Sequence, residues 1–244
     1  MIASQYSKRG DVVAKLKVMC ARSMHEVVDA LAEAFTRQTG HDTERVYGPV
    51  GALQKRLDGG ETADVLILNT AAIETMAQSG AIEPASKAAI AKTSVGIAVR
   101  EGAVAPDMSS ADAFRKALTD AKAIALSDPA QGGSAGVYLA KLFAELGIAD
   151  EVARKTLPQK TGGEVAARVA EGKADFGMTL MAEIVPIAGA RVLGPLPPPY
   201  SNDTAYSGGV ATSSPMADAG RQFIAALKAP SARAVWEHAG FSIS

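Results

Sequence analysis

From Leu16 onward, short apolar runs alternate with longer stretches in which apolar residues recur every three or four positions. A short apolar run bounded by turn residues reads as a buried strand, and the longer spacing reads as a helix with one apolar face. Leu16–Met19 is the first run; His25–Gln38 follows, with Val27, Val28, Leu31, Ala34 and Phe35 on one face and Gly40 as its stop. Thr43–Tyr47, a turn at Gly48–Gly51, a helix over Ala52–Leu57, a strand at Asp64–Leu68 and a helix over Ala71–Ser79 continue the pattern. Strand, helix, strand, helix, strand predicts a parallel sheet with right-handed crossovers.

After a strand at Thr93–Val99, a second set opens at Lys122–Asp128. It continues with a helix over Gly136–Leu146, a strand near Arg154–Leu157, a helix over Glu164–Glu171, and strands at "ADFGMTL" and "ARVLGPL". A last strand, Tyr206–Thr212, precedes helices over Met216–Leu227 and Ser231–Ala239. Two such sets predict two lobes joined by crossing strands near Val95–Arg100 and Ser207–Thr212. Residues 1–97 plus 206–244 form one expected lobe and 98–205 the other, with a ligand cleft between them. Residues 1–14 are polar and read as a loose segment.

Composition narrows the function. The 25 basic residues are scattered among 26 acidic ones, for a net charge of −1, which argues against nucleic acid as a partner. No apolar run approaches the roughly 18 residues of a membrane span, so no membrane insertion is expected. The first 19 residues lack the apolar core of a secretion signal. The chain as written is therefore expected in the cytoplasm, and in the periplasm if its start is trimmed or misassigned. Cys20 is the only cysteine, so no intrachain disulfide can form. The three histidines, His25, His41 and His238, show no metal-binding spacing, and neither a metal nor a cofactor is expected.

In open α/β sheets ligands bind at the carboxyl ends of strands. Four strand ends carry suitable groups. Arg22 and Ser23 sit where the first strand meets its helix; Ser23 reads as an N-cap, and Arg22 offers a planar fork for a carboxylate or other oxyanion. Val50 and Gly51 open the second helix and offer only backbone N–H groups. Ser134 and Ala135 follow the Gly-rich stretch "DPAQGGSAG", which matches neither a Walker loop nor a dinucleotide fingerprint. Gly162 and Gly163 open a later helix, and Thr179 ends "DFGMT". Free N–H groups and helix dipoles at these points favour a small anion. Cys20, at a strand end, is a candidate for a lowered thiol pKa. His25, Glu164 and Glu183 are the candidate bases should the site be catalytic.

The segments "VMCARSM", "GPVGALQKRLDGGETADVLIL", "SDPAQGGSAGVYLAKLFAELGI", "VAEGKADFGMT" and "KAPSARAVWEHAGF", in that order, resemble the molybdate-type solute-binding proteins of ABC transporters. The resemblance implies an α/β, two-lobed type II periplasmic-binding-protein fold, each lobe a mostly parallel sheet flanked by helices. It also implies an ABC permease partner if the chain is exported. Ser23 matches the family's first binding serine and Ala135 a backbone contact. The chain departs from the molybdate pattern at Pro49, Val50 and Gly51, and at Leu180. It is more similar to the family's aconitate-isomerase-like branch, at "GPVGALQKRL", "SVGIAVREGAVAPDMSSADAFRKAL", "SDPAQGGSAGVY" and "GPLP". That branch implies a di- or tricarboxylate ligand, either bound for delivery or isomerised by an allylic proton shift.

Overall fold

The computed structural model describes residues 15–243, and the reading of residues 1–14 lies outside them. Strand β1 (Leu16–Ala21) passes through a single 3-10 turn, Arg22–Met24, into α1 (His25–Thr39). Then come β2 (Thr43–Gly48), α2 (Val50–Asp58), β3 (Val65–Asn69), α3 (Thr70–Gln78) and the long β4 (Ala88–Arg100). The middle of the chain supplies α4 (Ala111–Asp120), β5 (Ile124–Ser127), α5 (Ser134–Glu145), α6 (Ala149–Ala153) and β6 (Thr156–Gln159). It continues with α7 (Gly162–Ala170), β7 (Phe176–Leu180), α8 (Met181–Ile184) and β8 (Ala190–Pro195). The chain closes with β9 (Asp203–Val210), α9 (Ala217–Leu227), α10 (Arg233–His238) and β10 (Ser242–Ile243).

The strands form one curled sheet in the order β2-β1-β3-β9-β4-β7-β5-β6, with β8 and β10 also paired to β4. The trios β2-β1-β3 and β6-β5-β7 are parallel, as the βα alternation dictates. The sheet as a whole is mixed. β9 runs antiparallel to β3 and β4, and β7 and β8 run antiparallel to β4. A parallel neighbour needs a crossover connection, whereas β9 is entered from the other half of the sheet, after β8, and so runs antiparallel to β3 and β4.

β4 changes partners partway along its length. Residues up to Ser94 pair with β9, and Val95 onward pair with β7 and β8. The return lies in 196–202, beside the same point: Leu196 donates to the Val95 carbonyl and Val95 donates to the Asn202 carbonyl, both at 3.1 Å. The expected crossing at Ser207–Thr212 falls instead within β9 and just after it, against β3. The apolar tail of β9 marks its buried end, whereas the strand begins in the polar residues Asp203 and Thr204. α4 has no counterpart in the sequence reading; Ser110 caps it and it buries Phe114, Ala117 and Leu118.

The core is aliphatic. β1 and β3 are buried almost along their whole length, and α1 covers them with Val27, Val28, Ala32 and Phe35. At the C-terminal end Trp236 is fully buried, donates from its indole nitrogen to the Leu227 carbonyl at 2.9 Å, and packs edge-on against Phe241.

Candidate functional site

The exits of β1, β2, β5, β6 and β7 converge on one gap enclosing about 50 Å³, with Tyr206 of β9 at its wall. Arg22 and Ser23 reach it from β1, Val50 from β2, and Ser134 and Ala135 from the loop after β5. Gly162 reaches it from the start of α7, and Glu183 from α8. Gly163 lies in an adjoining space, described below. Gly51 faces the opposite loop: a Cβ on Gly132, whose φ is +71°, would lie 3.3 Å from the Gly51 Cα. The left-handed backbone at Gly132 together with this close approach favours glycine there. Thr179 is fully buried behind Glu183 and donates to its Oε2 at 2.6 Å.

The helix starts differ from one another. α2 begins after Pro49 and α5 after Gly133, and neither has a side-chain cap. Their first N–H groups are left for a ligand or solvent. α7 has a complete capping box, in which Thr161 accepts from the Glu164 amide and Glu164 accepts from the amides of Thr161 and Lys160. Ser23 is not a cap, contrary to the sequence reading. It lies inside the 3-10 turn and donates to the Tyr206 hydroxyl at 2.9 Å, tying the β1 exit to β9.

Two cations border the gap. Arg22 and Lys160 line it, both exposed, and neither guanidinium nor ammonium has an ion-pair partner among the described residues. Two carboxylates stand beside them. Asp128 is engaged within its own loop by the Gln131 side chain at 3.0 Å and the Ala130 amide at 2.9 Å, which hold its pKa below the usual carboxylate range. Glu183 is surrounded by protein except toward the cleft. Its burial pushes its pKa up, against the opposing pull of the Thr179 hydroxyl, the Leu180 and Gly162 amides and His25. A Cβ on Gly162 would collide with the Glu183 carboxyl and the Thr179 hydroxyl, so glycine is what admits this acid. Tyr206 is 2% exposed, and burial raises the pKa of its phenol.

The three candidate bases separate. Glu164 is exposed and occupied by the capping box. His25 is half-buried and its Nδ1 lies 2.9 Å from the Arg22 carbonyl. A carbonyl only accepts, so Nδ1 carries a proton and Nε2 is the free nitrogen. Only Glu183 enters the gap itself. Cys20 is fully buried and its thiol pKa is raised by desolvation, which overturns the reading of a lowered thiol. Tyr206, Lys160 and Asp128 went unread as site residues. Lys160 precedes a legible capping box, but Tyr206 lies mid-strand and nothing local marks it. Among the described residues no cluster of His, Cys, Asp or Glu is placed to hold a metal ion.

A curled mixed sheet flanked by helices, with an anion-suited gap at its strand ends, defines a solute-binding architecture of the periplasmic type. The profile of the bacterial extracellular solute-binding protein family matches residues 16–242, and the chain belongs to that family. It is 28% identical to an aconitate isomerase of a Pseudomonas species over 98% of this chain and 92% of that one. It is 22% identical to the molybdate-binding protein ModA of Escherichia coli K12, over 94% and 89% of the two chains. The periplasmic molybdate-binding protein of Azotobacter vinelandii superposes with a TM-score of 0.76 at 22% identity, covering 94% of this chain and 100% of that one.

Proposed function

We propose that the gap binds a small anionic solute, specifically a di- or tricarboxylate. The observation that carries this reading is the meeting of two uncapped helix starts, α2 and α5, at one cavity beside the unpaired Arg22 and Lys160. A hydrogen bond to a charged group contributes about 1.5–3 kcal/mol, whereas a helix dipole adds about 0.3–1 kcal/mol. The Arg22 fork and the free amides therefore dominate the attraction. Burial raises the pKa of Glu183, which works against its ionisation beside the ligand, and Asp128 is held by its own loop. In the transport form of this function the two halves of the sheet act as lobes that close on the solute and hand it to a permease outside the cytoplasm.

A second reading is favoured by Glu183 and by the likeness to an aconitate isomerase. An unsaturated tricarboxylate has an allylic CH2. Ionised Glu183 would take a proton from that carbon, and the electron pair would delocalise onto the flanking carboxylate. The same proton would then return to the distal carbon as the double bond shifts, so atoms and charge balance without a cofactor.

A thermal-shift titration with sulfate, molybdate, citrate and cis-aconitate tests the binding reading. A ligand specific for the native state raises the melting temperature, and the carboxylates are expected to do so at lower concentration than the oxyanions. Arg22→Ala should weaken the carboxylate response about ten- to a hundredfold. If Arg22→Ala left every carboxylate titration unmoved, this assignment of Arg22 would be wrong. Incubation with cis-aconitate under ultraviolet detection separates the readings: a changing spectrum means turnover, and a constant one with tight binding means capture alone.

A further inference from the structure

The central gap has a neighbour. A second space of about 150 Å³, three times the size of the first, opens behind it. Arg22, Ser23, Thr161 and Glu183 line both spaces, which therefore adjoin. The second space is completed by His25, Gly163 and Ile187 among others. The first space, at about 50 Å³, holds only a few water-sized groups. That suffices for one carboxylate against the amides of α2 and α5.

We infer that the second space is a subsite for the remainder of an extended polycarboxylate, holding a second carboxylate against Arg22 and His25 while the connecting carbons pass Glu183. This rests on the carboxylate reading of the main gap and adds to it the length of the ligand and its orientation. The chemistry of the second space suits the role. Arg22 has no ion-pair partner among the described residues and lines both spaces. His25 has its Nδ1–H tied to the Arg22 carbonyl, which fixes the ring, and its Nε2 donates to a carboxylate as the imidazolium. Two acidic residues line the space, Glu183 and Glu26; Glu26, 3.9 Å from that Nε2, is exposed. Ile187 and Pro186 give the chamber an apolar side, which suits a carbon chain and not a second hydrated ion. Arg22 can grip a carboxylate in either chamber, so a ligand with carboxylates at both ends gains from both, whereas a single-headed anion gains from one.

Glu183 is the one carboxylic acid that borders both spaces, and so stands beside the middle of a ligand that spans them. A carboxyl group there meets the carbons that link the carboxylates, and those are the carbons an allylic proton shift would involve.

The test compares a single-headed anion, sulfate, with two extended acids, citrate and cis-aconitate, by isothermal titration calorimetry on the full chain. Two variants change residues that line the second space and not the first: Ile187→Phe fills it, and His25→Ala removes its imidazole. Both positions are at least partly exposed, which favours folding, and circular dichroism checks it. The readout is the ratio of tricarboxylate to sulfate affinity. It should fall about tenfold or more in each variant. If the wild-type ratio is kept in both variants while citrate still binds, the subsite is refuted and the main-gap reading stands. If the wild-type chain binds neither carboxylates nor sulfate, the main-gap reading itself fails and the subsite with it.

Discussion

A carboxyl group walled in by protein keeps its proton more tightly than one in water, because the charged form loses more solvation than its neighbours return. Glu183 is in this position, and its folded-state pKa lies above the ordinary value of 4.5. Between those two values the native chain holds a proton that the unfolded chain has released. The stability associated with it is therefore full below pH 4.5 and is lost as pH rises through the folded value. The groups facing this carboxyl are the Thr179 hydroxyl, the Leu180 and Gly162 amides, His25 and the Tyr206 phenol. Glu183→Gln cannot ionise. Its melting temperature relative to wild type should rise as pH increases above 4.5 and level off once the folded value is passed, and parallel curves for the two proteins would contradict the raised pKa. In the isomerase reading the same variant should lose turnover by about a hundredfold or more.

At the scale of elements, the difference between helix starts decides what each can do. The Thr161-x-x-Glu164 pattern is a legible capping box, and it spends its own donors and its glutamate on α7. Glu164 thereby leaves the list of candidate bases for a reason present in the sequence itself. α2 and α5 begin after proline and glycine, which have no side-chain oxygen to offer, so their amides stay free. The C-terminal elements are fixed by packing. Trp236, the only tryptophan, is fully buried on α10 with its indole N–H satisfied. Trp236→Ala removes that volume and leaves the Leu227 carbonyl unpaired. It should cost about 3–5 kcal/mol, read as a lower urea midpoint. A cost under about 1 kcal/mol would mean that α10 is not part of the cooperative core.

For the whole molecule, the working motion proposed here is closure of one half of the sheet on the other, as in hinge-type binding proteins. The halves already touch where Gly51 meets Gly132, and the gap behind that contact is about 50 Å³. A larger ligand must enter through an opened form. Small-angle scattering should therefore show a smaller radius of gyration on saturation with citrate than without it. A radius unaltered by a ligand whose binding calorimetry has verified would argue for a rigid site. The connections at β4 and 196–202 are the places where such a hinge would bend, since the chain crosses between the halves only there among the described residues.

The sequence by itself determined the βα alternation, the parallel trios on either side, and the strand exits that carry Arg22, Ser23, Val50, Ser134 and Gly162, because these follow from local periodicity and turn chemistry. It did not determine that β9 and β4 run antiparallel, that Ser23 bonds Tyr206 across 183 positions, or that Glu183 rather than Glu164 or His25 faces the gap. Those outcomes depend on which distant segments the sheet order brings side by side. A side chain's solvation and its hydrogen-bond partners are set by neighbours remote in sequence, which no local pattern encodes.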